Sequence, residues 1–234
     1  MSLYFILLLG SFAVPFLLSF DKKLHFYTRW KEVLPSIFIV AAFYIVCDIF
    51  MTKWGVWGFN PDYISNVSFF KLPIEEWLFF VIIPYASIFL HASFVLYFPN
   101  IRLSKKLSKY ITAIILILTA VIIALHFDKI YTVYIFSTLM LALLLALFDK
   151  TGILEGYYIT FLLILIPFLI VNAVLTGSFI ESEVVWYNDS ENLGIRVLTI
   201  PIEDFGYAFS LILFNLLLIG RFQKVFTNKA KAEI

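Results

Sequence analysis

The sequence predicts an all-α integral membrane protein: seven transmembrane helices, arranged as two parallel three-helix repeats joined by one extra helix. Three observations predict it. Of 234 residues, 62% are hydrophobic and only 14% charged, whereas a soluble domain is about half apolar and about a quarter charged. Seven apolar runs of roughly membrane length follow one another with short polar breaks. And one acidic phrase, LPIEEWLFF at 72–80, returns as IPIEDFGYA at 200–208.

A spanning helix needs about 20 mostly apolar residues. The first run, 2–20, lacks the basic opening and small-residue cleavage site of a signal peptide, and is read as a retained helix. The second, 34–51, carries the single cysteine, Cys47, which excludes an internal disulfide and a CxxC site. The third, 74–98, starts on the first acidic phrase. The fourth and fifth, 110–126 and 131–148, are separated by Asp128, Lys129 and Ile130, a tight helical hairpin. The sixth is 157–176, and the seventh, 200–220, starts on the second acidic phrase. These runs divide the chain into a first repeat (1–98), a linker with helix 4 (99–129), a second repeat (130–220) and a tail (221–234), all one membrane domain.

Orientation follows from Lys and Arg, which favour the cytoplasmic side. Of the 17, only Lys53, Lys71, Lys129 and Arg196 fall on one side of the predicted spans. The other thirteen lie in 21–33, 99–109, 149–156 and the tail, which are therefore expected inside. The N-terminus is then outside, the C-terminus cytoplasmic, and the protein belongs in the cell (inner or cytoplasmic) membrane. A net charge of +1 without a basic cluster gives no reason to expect nucleic acid.

A shift of 128 residues aligns the two halves without a gap. Phe20, Asp21 and Lys22 fall on Phe148, Asp149 and Lys150; Asn60 falls on Asn188; Pro73, Ile74 and Glu75 fall on Pro201, Ile202 and Glu203; Glu76 falls on Asp204. Three helices placed twice in tandem would invert the second copy. One added helix restores the orientation, so the pseudo-axis runs along the membrane normal. Both acidic phrases then lie at the same depth on the outer side.

Acids in a first helical turn complement the helix dipole, and one such acid suffices for that. The capping box is absent, because Leu72 and Ile200 stand where Ser or Thr is needed. Proline is read as the first helical residue. Two consecutive acids point about 100° apart, so one can face the bundle while the other faces water or a partner. Ionisable groups at membrane spans point to function, and the repetition favours that over a cap. Burial disfavours a charged carboxyl, so such a group can hold a proton and act as a general acid. In an aromatic-lined lipid cavity this suits proton addition to an alkene, since aromatic faces stabilise cations. Candidate rings are Trp57, Trp77, Phe79, Phe80, Tyr85, Phe205 and Tyr207, each also readable as an interfacial or packing residue.

The two phrases, with the stretches WGVWGFNPDYISNVSFFKLPIEEW and WYNDSENLGIRVLTIPIEDF that lead to them, resemble the paired PxE(E/D) motifs of the lycopene cyclase domain family. The resemblance covers most of the chain, in a fused two-repeat form. It implies a lycopene β-cyclase that turns the ends of a linear carotene into β-ionone rings. The reaction is non-redox: protonate the C1–C2 alkene, close C1 to C6, lose a proton. It implies no cofactor, and the chain has no G-x-G-x-x-G fingerprint. Glu75, Glu76, Glu203 and Asp204 would carry the acid and base roles, with Asp204 standing where the first copy has Glu. Implied partners are lycopene, membrane lipid, and a second copy or other carotenoid-pathway enzymes.

Asn60 and Asn188, thirteen residues before each proline, either position the acids or make turns. Arg196 either holds a carboxylate ionised or is a loop charge. His91 reads as a helix–helix contact ahead of a proton relay. It shares no ligand spacing with His25 or His126, so no metal is predicted. Asn172 and Asn215 read as interhelical hydrogen bonds. A retinal protein is excluded, since 200–220 contains no lysine. A transporter and a non-catalytic carotenoid-binding subunit remain as alternatives.

Overall fold

The computed structural model describes residues 2–232, with side chains through Phe226. It is an all-α membrane protein of seven α-helices: α1 Leu3–Leu18, α2 Trp30–Trp54, α3 Ile74–Tyr97, α4 Lys105–Leu125, α5 Ile130–Phe148, α6 Ile153–Leu175 and α7 Ile202–Ala232. Six are long and apolar enough to cross a membrane, and α1 is apolar but shorter. Its 16 residues rise about 24 Å, less than a hydrocarbon core of about 30 Å. The predicted 2–20 is trimmed because Ser2 caps the helix and the chain turns at Ser19. The other helices differ from their apolar runs mainly by extending into polar flanks, as α2 does from Trp30.

Three short two-stranded sheets lie between the helices. β1 (Trp57–Phe59) pairs antiparallel with β4 (Val185–Tyr187). β2 (Ser68–Phe69) pairs with β3 (Leu72–Pro73), and β5 (Arg196–Val197) with β6 (Ile200–Pro201). The 128-residue offset is written into these pairings. In β1–β4, Gly58 stands opposite Trp186, its own counterpart at +128, so a pseudo-two-fold axis passes between them. Asn60 N–H donates to the Val184 carbonyl and Asn188 N–H to the Val56 carbonyl, the same bond with the halves exchanged. The hairpins repeat residue for residue: Ser68 opposite Pro73, Arg196 opposite Pro201. Even the strain recurs, with Phe70 (φ 53°) and Leu198 (φ 57°) both in the left-handed region that a tight hairpin turn demands.

Helices pack in matching pairs. α1 lies on α3 and α5 on α7, while α2 crosses to α7 and α6 to α3. Close approach needs small residues. A Cβ on Gly206 would sit 3.1 Å from Ile135 Cγ2, so that glycine lets α5 and α7 meet. At the axis the demand is stricter, since a Cβ on Gly58 would lie 2.4 Å from the Trp186 ring. α4 packs on α5 and α6 and turns Ile114, Ile117 and Leu118 outward, more than half exposed, as expected of a lipid-facing surface.

Candidate functional site

Each acidic phrase follows its hairpin directly. Ile74 N–H donates to the Val67 carbonyl, and Ile202 N–H to the Ile195 carbonyl, both at 2.9 Å. Each hairpin thus satisfies the first free N–H of the helix it precedes. Pro73 is the N-cap, one position earlier than the sequence suggests, so Glu75 and Glu76 are the second and third helical residues.

The two acids of each pair separate by role. Glu75, fully buried, accepts from Ser65 N–H (2.7 Å), Ser65 Oγ (3.1 Å) and Ser2 Oγ (2.5 Å). Glu203, also fully buried, accepts from Leu193 N–H (2.8 Å) and Thr132 Oγ1 (2.7 Å). Ser65 and Leu193 are again 128 apart. These first acids reach back ten residues and pin the loop that precedes the hairpin.

The second acids face a shared hollow. Glu76 and Asp204 both line one cavity of about 420 Å³ walled by α1, α3, α6 and α7, with β1 and β4 at the end from which α3 and α7 start. That volume suits a small-molecule site. Tyr4 O–H donates to Glu76 Oε2 at 2.7 Å. Asp204 accepts from Tyr131 O–H and from Tyr187 O–H (2.9 Å). Burial, then the Asp204 carboxyl, push the Tyr187 phenol well above its ordinary value, so it keeps the proton it donates. A third acid joins them: Asp48 of α2, 1% exposed, lines the same cavity and accepts from Tyr207 O–H (3.2 Å).

Of the aromatic candidates, Trp57, Phe79 and Tyr207 line the cavity. Trp57 meets Tyr131 edge-on at 5.1 Å. Phe80 packs between Tyr44 and Tyr207 in the core, Trp77 turns toward Phe69, and Phe205 packs on Phe168. Trp77 and Phe205 each follow their motif acid by one residue and so point about 100° away from it, whereas Phe80, one turn beyond Glu76, is taken up by its contacts with Tyr44 and Tyr207. Tyr85 bonds Ser19 and Trp30.

The polar candidates resolve similarly. Asn60 Oδ1 accepts from Asp62 N–H, and Asn188 Oδ1 from Ser190 N–H, the turn pattern of Asn. Arg196 pairs with Asp189 at 2.5 Å and donates to the Thr199 carbonyl, tying its loop together. The guanidinium holds the Asp189 carboxyl below its usual range. His91 Nδ1 meets Thr160 Oγ1 at 2.7 Å, a contact between α3 and α6. Asn215 bonds Ser36 across helices, whereas Asn172 bonds back to the Phe168 carbonyl and lines the cavity.

Sequence reasoning missed Asp48, Tyr4, Tyr131 and Tyr187. Asp48 did carry a signal: it is a lone acid in the apolar run IVCDIFM, and intramembrane acids suggest function. The tyrosines carried none beyond abundance.

The model of one protein family, described as lycopene cyclase, matches residues 1–94 and again 128–222. The matched segments take in both hairpins, both acidic phrases and Asp48, and omit α4. No curated protein and no solved structure matches the chain.

Proposed function

The chain belongs to the lycopene cyclase family, and from that premise we propose that it is a lycopene β-cyclase acting by acid–base chemistry in the membrane. The observation that carries the reading is the single cavity into which both repeated acids project, Glu76 from one phrase and Asp204 from the other. Its wall suits a long hydrocarbon. Lining residues run along α3 from Glu76 to Ser93, seventeen residues or about 25 Å of helix rise. A second hollow shares Leu90, Ser93 and Pro167 with the first and continues toward Tyr97 and Phe98.

In this reading the substrate end lies among Trp57, Tyr131, Tyr187 and Tyr207, with the polyene along α3. One cavity acid protonates C2 of the terminal alkene. The C1 cation is attacked by the C5–C6 alkene, and aromatic faces stabilise the charge as it moves to C5. Loss of a proton from C6 to a cavity carboxylate yields the ring, with the molecular formula unchanged. Glu75 and Glu203 serve as positioning residues that fix the loops and the helix starts. Residues 1–98 and 130–220 are two copies of one unit, joined through α4. The Lys- and Arg-rich side is cytoplasmic, which puts the site toward the outer side of the cell membrane.

Expression in a lycopene-accumulating host tests the proposal. Conversion of red lycopene to orange β-carotene is expected. Unchanged pigment at normal membrane abundance refutes it and leaves a transporter or a carotenoid-binding subunit.

A further inference from the structure

We propose that the cavity is a chamber centred on the pseudo-two-fold axis with two equivalent arms. One arm holds the polyene chain of the substrate, and the other is plugged by Tyr44, Phe80 and Phe214. The inference rests on the proposed function and identifies residues that fix how the substrate lies in that site.

Around the acids the chamber is symmetric. Glu76 and Asp204, Phe59 and Tyr187, and Phe79 and Tyr207 are counterparts 128 residues apart, and both members of each pair line the cavity. Away from the acids the lining becomes one-sided. Ala86 of α3, Asn172 of α6 and Ala208 of α7 line it. Their counterparts are Phe214 of α7, Tyr44 of α2 and Phe80 of α3, none of which lines it. Two alanines and an amide in the open arm thus stand where the mirror arm has three aromatic rings.

Those rings fill the mirror arm. Tyr44 and Phe80 are fully buried. The Tyr44 ring lies 6.2 Å from Phe80, 6.4 Å from Phe214 and 5.0 Å from Tyr207, the spacing of aromatic rings in contact. Hydrogen bonds between α2 and α7 hold the plug. Tyr44 Oη and Ser210 Oγ are 2.8 Å apart, and Ser36 Oγ donates to Asn215 Oδ1 at 3.2 Å. In the open arm the counterparts of Ser36 and Asn215 are Ile164 and Ser87, and both line the cavity. An isoleucine side chain cannot make that bond.

The arms also differ at the lipid surface. Val14 of α1 lines the open arm yet is 60% exposed, so this arm reaches the outside of the bundle. Its counterpart Ala142 is fully buried on α5, and α4 packs against that helix. A hydrocarbon dissolved in the bilayer enters from the lipid, and the arm lined by α1 and α6 offers it a way. With the mirror arm filled, the carotene end meets Glu76 and Asp204 in one orientation. The plug therefore decides which acid faces which side of that end.

The test measures ring formation in membranes supplied with lycopene, normalised to membrane abundance. Ala208→Phe builds the plug residue into the open arm and should lower the rate by about 10-fold or more. Adding Phe80→Ala and Tyr44→Asn opens the mirror arm, and should bring the rate back to within about threefold of the parent, since volume is conserved across the axis. Ala208→Phe within about twofold of the parent overturns the proposal, and so does a triple variant that inserts normally but stays as slow as Ala208→Phe. If the variants fail to accumulate, the unsubstituted protein decides. A lycopene analogue with a diazirine in mid-chain should label α6 near Val171 and α1 near Val14, and leave α2 near Tyr44 unlabelled. Label that is absent, or equal on α2 and α6, overturns the proposal. An unsubstituted protein that forms no ring refutes the proposed function instead, and the labelled helix still reports which arm takes a polyene.

Discussion

Glu75 and Glu76 are neighbours in sequence, yet their replacement by glutamine should have different consequences. Glu76→Gln keeps the side-chain volume and an oxygen for the Tyr4 hydroxyl, but removes a transferable proton at the cavity wall. General acid catalysis is worth about 10²–10⁴-fold, so the barrier should rise by about 3–5 kcal/mol. Glu75→Gln leaves the cavity untouched. Its amide oxygen can still accept from Ser65 N–H, and the three bonds to the carboxyl weaken to bonds with a neutral group. At about 1 kcal/mol per bond, the loss is about 3 kcal/mol of stability. The expected pattern is normal abundance with little or no ring formation for Glu76→Gln. Glu75→Gln should show lower thermal stability and a kcat within a few-fold of the parent. The assay is chromatography of pigments from membranes supplied with lycopene, beside a thermal-aggregation curve of the solubilised protein. If Glu75→Gln is inactive at parental stability while Glu76→Gln turns over normally, the assignment of roles is reversed.

Further predictions follow from other contacts. Tyr187→Phe removes one of two donors to Asp204. With a bond to a charged group worth about 1.5–3 kcal/mol, cyclisation should slow by about 10- to 100-fold, and a rate within twofold of the parent would remove Tyr187 from the site. Gly58→Ala must push the Trp186 ring aside, an overpacking cost of about 1–3 kcal/mol. Trp186→Ala in the same chain should recover most of it, and additive losses in a double-mutant cycle would contradict the contact. Because one cavity holds both motif acids, a time course should show a product with one ring before the product with two. Simultaneous appearance of both rings argues against a single site. Arg196 lowers the folded-state value of Asp189, so this pair adds stability above the unfolded carboxylate range and loses it as pH falls through the folded value. The pair is largely exposed, so Asp189→Asn should cost no more than about 1 kcal/mol at pH 7, and a thermal-stability difference that persists at pH 2 contradicts the assignment.

Much of the protein was legible in its sequence. Apolar runs announce spanning helices because lipid leaves the backbone no partner but itself. The polar coincidences at 128, Asp21 with Asp149 and Asn60 with Asn188 among them, were enough to pair the halves, and the hairpin registers keep that offset. What the sequence could not settle was which acid of each pair does what. A helix surrounded by lipid and other helices is apolar on every side, so its periodicity does not reveal which face is inward. Glu75 and Glu76 were therefore indistinguishable until the hairpin and Ser65 fixed the rotation of α3. Asp48 lies 28 residues before Glu76, on another helix, and only the packing of α2 beside α3 and α7 brings both to one cavity. The sequence alone thus determined the class, the 128-residue correspondence and the acidic phrases, because composition and repetition survive without coordinates. Tertiary structure decided the side-chain directions, and with them the cavity and its third acid, because those depend on helix rotation and on contacts between distant segments.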